Sequence, residues 1–312
     1  MNDRDPVSVL LPTREWTPVC EQLTAGLGPD DELLVICDTE DDPVTSADPP
    51  DGVEILVAGE PARCSGKANA LAYGMERARH DRFVWTDDDF ERDPAWLGRL
   101  VAAGVEDGPV TVLPDFVGGG WWRVAEPALV LLLGGRSLLR ERGVGAFPWG
   151  GGVVFHRDDL SGAVDALVAD LRTCLSDDRV LFEHLDGCRR DTSIEATVHV
   201  DGDAVTVYRR LVRYMRADHV HIGLVGEFVV SVAIAAVAAS YPLPVAAAVT
   251  LLVAGVYVAV GRLRRNVLLA YPALLLLPAL PAAGILVDEF EWAGRRYRVN
   301  GPHDVEVIER RR

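Results

Sequence analysis

Residues Arg82–Phe90 read RFVWTDDDF, a short apolar run that breaks into three consecutive aspartates. An apolar run of this length bounded by polar residues has the pattern of a buried strand. The aspartates then fall where that strand ends. Working outward, Val7–Pro12 (VSVLLP), Glu32–Cys37 (ELLVIC, ending on Asp38), Val53–Ala58 and Val110–Leu113 repeat the strand pattern. Between them, Glu15–Leu27, Ser65–Arg79 and Pro94–Ala103 have the spacing of helices, and Asp41–Asp51 is a Pro- and Asp-rich loop. Strands alternating with helices predict an α/β domain with a mostly parallel sheet and crossover helices. Ligands of such sheets sit beyond the carboxyl ends of the strands. Asp38 and Asp87–Asp89 are both placed there.

Alternate residues of an extended segment point the same way, so Asp87 and Asp89 can converge. Two carboxylates suit Mg²⁺ or Mn²⁺, which fill the rest of their shell with phosphate oxygens and water. A solvated acidic turn is the alternative. Gly66–Leu71 (GKANAL) opens the helix leading to this strand, and Lys67 beside helix N-terminal amides is a sensible phosphate contact. The spacing is not that of a P-loop, because Gly59 lies too far upstream and Ala68 replaces Ser/Thr. Ser176 caps a predicted helix over Asp177–Leu185. Its first-turn acids Asp177 and Asp178 answer either the helix dipole or a need for a general base. In the basic helix Tyr208–Arg216, Arg210 and Arg213 share a face. They could neutralise a departing diphosphate or an anionic lipid surface. Pro148–His156 (PWGGGVVFH) is a glycine-rich loop entering a strand, and Phe147, Pro148 and Trp149 could line an entrance on the acceptor side.

Charge and apolarity are separated along the chain. The 312 residues carry a formal charge of −16, yet mean hydropathy is +0.13. Residues 219–312 hold 7 acids and 9 arginines, a net of +2, which leaves −18 on the first 218 residues. Phe228–Gly261 and Asn266–Val287 contain no charged side chain over 34 and 22 residues. A bilayer span needs about 20 apolar residues. The sequence therefore predicts a multi-pass membrane protein with spans near 220–241 and 243–261. A third apolar segment, 266–287, is broken by Pro272, Pro278 and Pro281 and reads as a re-entrant hairpin, which keeps the Arg-rich tail inside; a third full span, which would put it outside, is the alternative. Residues 1–217 form the predicted cytoplasmic domain. A tail over 291–312 is expected to form two short strands around Asn300-Gly301, also in the cytoplasm. The markedly apolar stretch Arg123–Leu139 is either an interfacial helix or a core helix.

Lys67 is the only lysine among 31 basic residues. Lysine loss with acidic excess points to a halophilic, haloarchaeal host, where salt screens self-repulsion. The acidic half argues against nucleic-acid binding. Five cysteines without a CxxC pair predict reduced thiols and no zinc site. The amino terminus lacks a signal-peptide pattern, in keeping with a cytoplasmic domain.

The motifs VSVLLPTRE, Asp38, GKANAL, TDDDF, Ser176-Asp177-Asp178 and Arg210-Leu-Val-Arg213-Tyr214 occur in the order found in family 2 glycosyltransferases. Over about residues 7–216 the chain resembles a membrane-bound, ceramide-glucosyltransferase-like member of that family. The resemblance implies a GT-A fold with a nucleotide-sugar donor and a divalent metal. It implies that Asp38 binds the nucleotide, that Asp87 and Asp89 hold the metal on the donor diphosphate, and that Asp178 is the catalytic base. Arg210, Arg213 and Tyr214 would contact the diphosphate and acceptor region. The chain departs from the family pattern at Thr39-Glu40, Ala72, Asp177 and Tyr214.

The expected activity is inverting transfer of a sugar from a nucleoside diphosphate to a membrane lipid. Lys67 and Asp87 would help bind the donor, with Asp177 and Trp149 on the acceptor side. A polyprenyl-phosphate acceptor, polysaccharide synthesis, and an inactive nucleotide-sugar-binding scaffold are the alternatives.

Overall fold

The computed structural model describes residues 5–118, 120, 123, 126–132, 145–200, 204–217, 221–259 and 263–310. Contacts divide the chain into two compact units. The first comprises 1–117, 143–199 and 303–307, and the second 118–142, 200–302 and 308–312.

The first unit is built on one eight-stranded sheet of order β3-β2-β1-β4-β7-β6-β8-β5. The strands are β1 (Val7–Pro12), β2 (Glu32–Cys37), β3 (Val53–Val57), β4 (Arg82–Thr86), β5 (Phe90–Glu91), β6 (Val110–Val117), β7 (Gly152–His156) and β8 (Arg189–His199). Strands β3, β2, β1 and β4 are mutually parallel. Their carboxyl ends therefore share one edge of the sheet, where Thr13, Asp38 and Asp87 follow. Every residue of β2 is buried, as is nearly all of β1. Strands covered on both faces need such unbroken apolar runs. β7 runs antiparallel between β4 and β6, with Thr86 opposite Gly152. That reversal brings the glycine-rich loop before β7 to the edge that carries the aspartates. Phe83, Trp85 and Phe155 interlock across β4 and β7, with ring centroids 5.5 and 5.3 Å apart.

The covering helices are α1 (Pro18–Ala25), α2 (Gly66–Met75), α3 (Trp96–Asp107), α4 (Val164–Leu171) and α5 (Asp177–His184). α3 buries Trp96, Leu97, Leu100, Val101 and Gly104, one stripe of an amphipathic helix. α1 starts later than predicted, at Pro18, because proline is tolerated in the first turn but cannot continue a helix from Glu15. β8 was not foreseen. It buries Ile194, Ala196 and Val198 on alternate positions, but the polar run Arg189–Ser193 that opens the strand hides that pattern.

The second unit contains α6 (Ala204–Ala217), α7 (His221–Ser240), α8 (Pro242–Ala259), α9 (Ala270–Leu276) and α10 (Ala279–Ile285). Among the described residues, α7 and α8 supply the two helices long and apolar enough to cross a membrane. Their apolar side chains are largely exposed, among them Val229, Val230, Leu251 and Leu252. The pair formed by residues 265–276 and 279–285 is bent by 51°. Residues 126–132 are helical; the rest of the predicted helix to Leu139 lies largely outside the described residues, as do Val220, Gly261 and Arg262. Glu126 is buried and accepts from Arg264 Nη1 at 2.8 Å, from Arg123 Nη1 at 3.1 Å, and from Asn266.

The tail forms the expected pair of strands around Asn300-Gly301 and adds a third. Three strands form, β9 (Glu289–Trp292), β10 (Arg295–Gly301) and β11 (Asp304–Arg310), in the order β11-β10-β9. Asn300-Gly301 ends β10 instead of making the turn. The β9–β10 turn is Ala293-Gly294, both with positive φ (47° and 76°), the backbone a tight two-residue hairpin requires. Arg216 of α6 is buried and donates from Nη2 to the Val299 carbonyl at 2.6 Å.

Candidate active site

The site is assembled from three segments of the first unit. Ser65 caps α2 by accepting from the Ala68 N–H, which fixes Lys67 in the first helical turn. β4 delivers Asp87 just past its last residue. Ser176 caps α5 by accepting from the Arg179 N–H, which places Asp177 and Asp178 in that helix's first turn. Lys67 Nζ joins these segments, lying 2.7 Å from Asp87 Oδ1 and 2.9 Å from Asp177 Oδ2. Burial opposes the ammonium charge, but Asp177, Asp87 and Asp178 outweigh it and hold Lys67 well above the ordinary lysine range.

The Trp149-Gly150-Gly151 loop threads between the acids. The Gly150 N–H donates to Asp178 Oδ1 at 2.6 Å. The Asp87 N–H donates to the Gly151 carbonyl at 3.3 Å. A Cβ on Gly150 would stand 2.2 Å from Asp177 Oδ2 and 2.8 Å from Asp178 Oδ1, so only glycine lets the backbone come this close. The Trp149 N–H donates to Thr111 Oγ1 at 2.8 Å, and its ring stacks on Phe90 with centroids 5.1 Å apart. Phe147 packs instead on Phe182 of α5, at 5.1 Å.

Asp178 titrates far from an ordinary carboxyl. Burial and then the neighbouring Asp177 charge raise it to about 8, against the opposing pull of Lys67 and the Gly150 amide. Asp88 is also raised, first by burial, and its Oδ2 accepts from Thr13 Oγ1 at 2.5 Å. Asp89 is exposed. Arg92 braces the turn from within. Its Nη1 donates to Thr86 Oγ1 at 2.8 Å, its Nη2 donates to the Asp87 carbonyl, and its guanidinium lies 3.7 Å over the Phe90 ring. Burial pulls this guanidinium down to about 10.

Among the described residues no group of three His, Cys, Asp or Glu side chains gathers into a metal cage. Asp87 follows β4 directly and the exposed Asp89 lies two residues on, carboxylates of the kind taken by an ion that needs only one or two of them and completes its shell with phosphate oxygens and water. Mg²⁺ and Mn²⁺ have that habit.

The structure thus brings together Lys67, Asp87, Asp177 and Asp178, with Trp149 beside them in the same loop and sheet edge. Asp38 follows β2, buried, its N–H donating to Asp42 Oδ2 at 2.9 Å. Arg210, Arg213 and Tyr214 belong to the second unit, on α6. There the Arg213 guanidinium lies 4.6 Å over Trp292 and 5.1 Å over Tyr214. Thr13, Arg92, Gly150 and Trp292 were missed as partners. Only Gly150 carried a sequence signal, the run of three glycines at 150–152.

A lysine, its acids and a backbone amide thus meet at the carboxyl edge of a mostly parallel sheet. Residues 19–161 match the model of glycosyl transferase family 2. That stretch is a family 2 glycosyltransferase domain, and the protein is a glycosyltransferase. Its structure is similar to glucosyl-3-phosphoglycerate synthase from Mycobacterium tuberculosis in complex with Mn²⁺, UDP-glucose and phosphoglyceric acid. The identity is 17% and the TM-score 0.38, over 66% of this chain and 75% of that one. Mannosyl-3-phosphoglycerate synthase from Rubrobacter xylanophilus is similar at 15% identity and TM-score 0.41, over 68% and 72%. No curated protein sequence matches the chain.

Proposed function

We propose that the protein transfers a sugar from a nucleoside diphosphate sugar to a hydroxyl of a membrane lipid, with inversion at the anomeric carbon. The observation that carries this reading is the convergence of Asp87, Asp177 and Asp178 on Lys67 at the strand-end edge. Asp178 is the base. Its carboxylate takes the proton of the acceptor hydroxyl while that oxygen bonds to the anomeric carbon. The bond from that carbon to the diphosphate breaks, and the electron pair leaves with the nucleoside diphosphate. One displacement from the opposite face inverts the centre. The Gly150 N–H holds one oxygen of Asp178 and leaves the other for the acceptor. Asp87 and Asp89 would hold a divalent ion, which supplies charge neutralisation for the leaving diphosphate. Arg210, Arg213 and Tyr214 are assigned to the same leaving group, and Asp38 to the nucleotide.

The lipid acceptor and the membrane rest on the second unit. α7 has 20 residues, about 30 Å of helix and the thickness of a bilayer core. α6 precedes this helix in sequence and packs on β9 and α10, which follow the bent segment. Arg216 of α6 bonds Val299 of β10, and a Cβ on Gly284 of α10 would meet Met215 of α6 and Leu224 of α7. Segments on either side of the apolar helices thus pack on one another, which supports an even number of crossings. α7 and α8 account for two. The bent 265–285 segment then dips in and returns to the same face, and the tail stays with the catalytic domain in the cytoplasm. The acidic first 218 residues fit a haloarchaeal cytoplasm.

The test is to incubate membranes carrying the protein with labelled nucleotide sugars and Mn²⁺, then partition the products. Label in the organic phase is the expected result, and label confined to a small aqueous acid would overturn the lipid assignment. Asp178→Asn should lower transfer by about 10²–10⁴-fold, the usual share of a general base, with nucleotide binding retained. Unchanged transfer would remove Asp178 from the mechanism.

A further inference from the structure

Lys67 is held by two carboxylates from different parts of the fold, and one of them is the carboxylate assigned above to the metal. The ammonium lies 2.7 Å from Asp87 Oδ1 and 2.9 Å from Asp177 Oδ2, with its side chain only 17% exposed. No other lysine exists in the chain. The backbone of Gly150 and Gly151 closes one side of the cluster, since a Cβ on either would run into Asp177, Asp178 or Asp87. A cation in that position cannot move far without leaving three acids facing each other.

We infer that Lys67 is a resident counter-ion that competes with the divalent metal for Asp87 and weakens metal binding until the donor arrives. This rests on the assignment of Asp87 as a metal ligand. A divalent ion on Asp87 would stand beside an ammonium already paired to the same carboxylate, and the two cations repel. The metal alone meets that repulsion in full. A nucleoside diphosphate brings the negative charge that can take the ammonium over, so metal and donor enter together. Lys67 is thus a positioning residue with two partners in turn, the acids when the site is empty of donor and the diphosphate when it is filled. The coupling is reciprocal: whatever Lys67 costs the free metal, the metal costs the Lys67–Asp87 pair.

The experiment measures Mn²⁺ binding to the detergent-solubilised full chain, without nucleotide, from the electron paramagnetic resonance signal of free Mn²⁺. Lys67→Met and Lys67→Gln are compared with wild type and with Asp87→Asn, each checked for a wild-type circular dichroism spectrum. The expected result is Mn²⁺ binding at least ~5-fold tighter in a folded Lys67 variant, the lower end of ordinary coupling between sites. Asp87→Asn should bind Mn²⁺ more weakly than wild type. Unchanged or weaker binding in the Lys67 variants, with Asp87→Asn still impaired, would overturn the competition and leave the metal assignment standing. Asp87→Asn binding Mn²⁺ like wild type would instead overturn the metal assignment, and the competition with it. A lysine that served the donor diphosphate alone would leave nucleotide-free Mn²⁺ binding untouched.

Discussion

At the scale of single residues, the site works by setting one carboxyl against its neighbours. Asp178 is raised to about 8, first by burial and then by the charge of Asp177. A base acts only when deprotonated, so kcat/KM should rise with pH along a limb governed by Asp178. Asp177→Asn removes the repelling charge, which favours the ionised form of Asp178 and should move the limb to lower pH. A pH profile of sugar transfer for the two proteins checks the sign. A limb that stays fixed or rises would mean that Asp177 does not act on Asp178 through its charge. The residue types involved were legible in the sequence, because acids at strand ends and at a capped helix start are local features. Their pairing was not. Nothing near Lys67 in the chain says that Asp177, 110 positions away, will take its second hydrogen bond.

At the scale of elements, the loop before β7 matters as much as the helices. β7 runs against its neighbours β4 and β6 and so delivers residues 149–151 to the carboxyl edge. Gly150 then sits so close to α5 that a methyl group has no room. Gly150→Ala should push the α5 N-terminus away, costing about 1–3 kcal/mol in thermal or denaturant unfolding. It should also break the Gly150–Asp178 hydrogen bond and lower kcat more than it raises KM. Wild-type stability together with wild-type kcat would show that the loop has slack. Strand alternation made β1, β2 and β4 readable to the residue, since buried parallel strands are unbroken apolar runs. β8 stayed hidden because its three buried positions are few and follow a polar start, Arg189-Arg190-Asp191-Thr192-Ser193. The direction of β7 stayed hidden because pairing partners are not written in a strand's own composition.

At the scale of the whole molecule, the chain divides its chemistry between an acidic unit and an apolar one. Two crossings with a re-entrant segment make a definite topological prediction. The five native cysteines are all buried and give little background. A cysteine at Leu243, which is 83% exposed in the first turn of α8 just after α7, should react with an impermeant maleimide added to intact cells. A cysteine at Asp304, exposed at the start of β11, should react only after permeabilisation. Labelling of both from outside would establish a third crossing.

The sequence by itself determined the α/β class, the strand ends on which the acids sit, the capped helix that carries Asp178, and the two apolar helices. Each follows from short-range physics: side-chain periodicity, capping, and the length of an uncharged run. The tertiary structure decided which acids share Lys67, that Gly150 orients Asp178, that β7 reverses, and that the tail turns at Ala293-Gly294. Such outcomes depend on contacts between residues far apart in the chain. Local propensity does not encode them, because each is selected by how the finished elements pack.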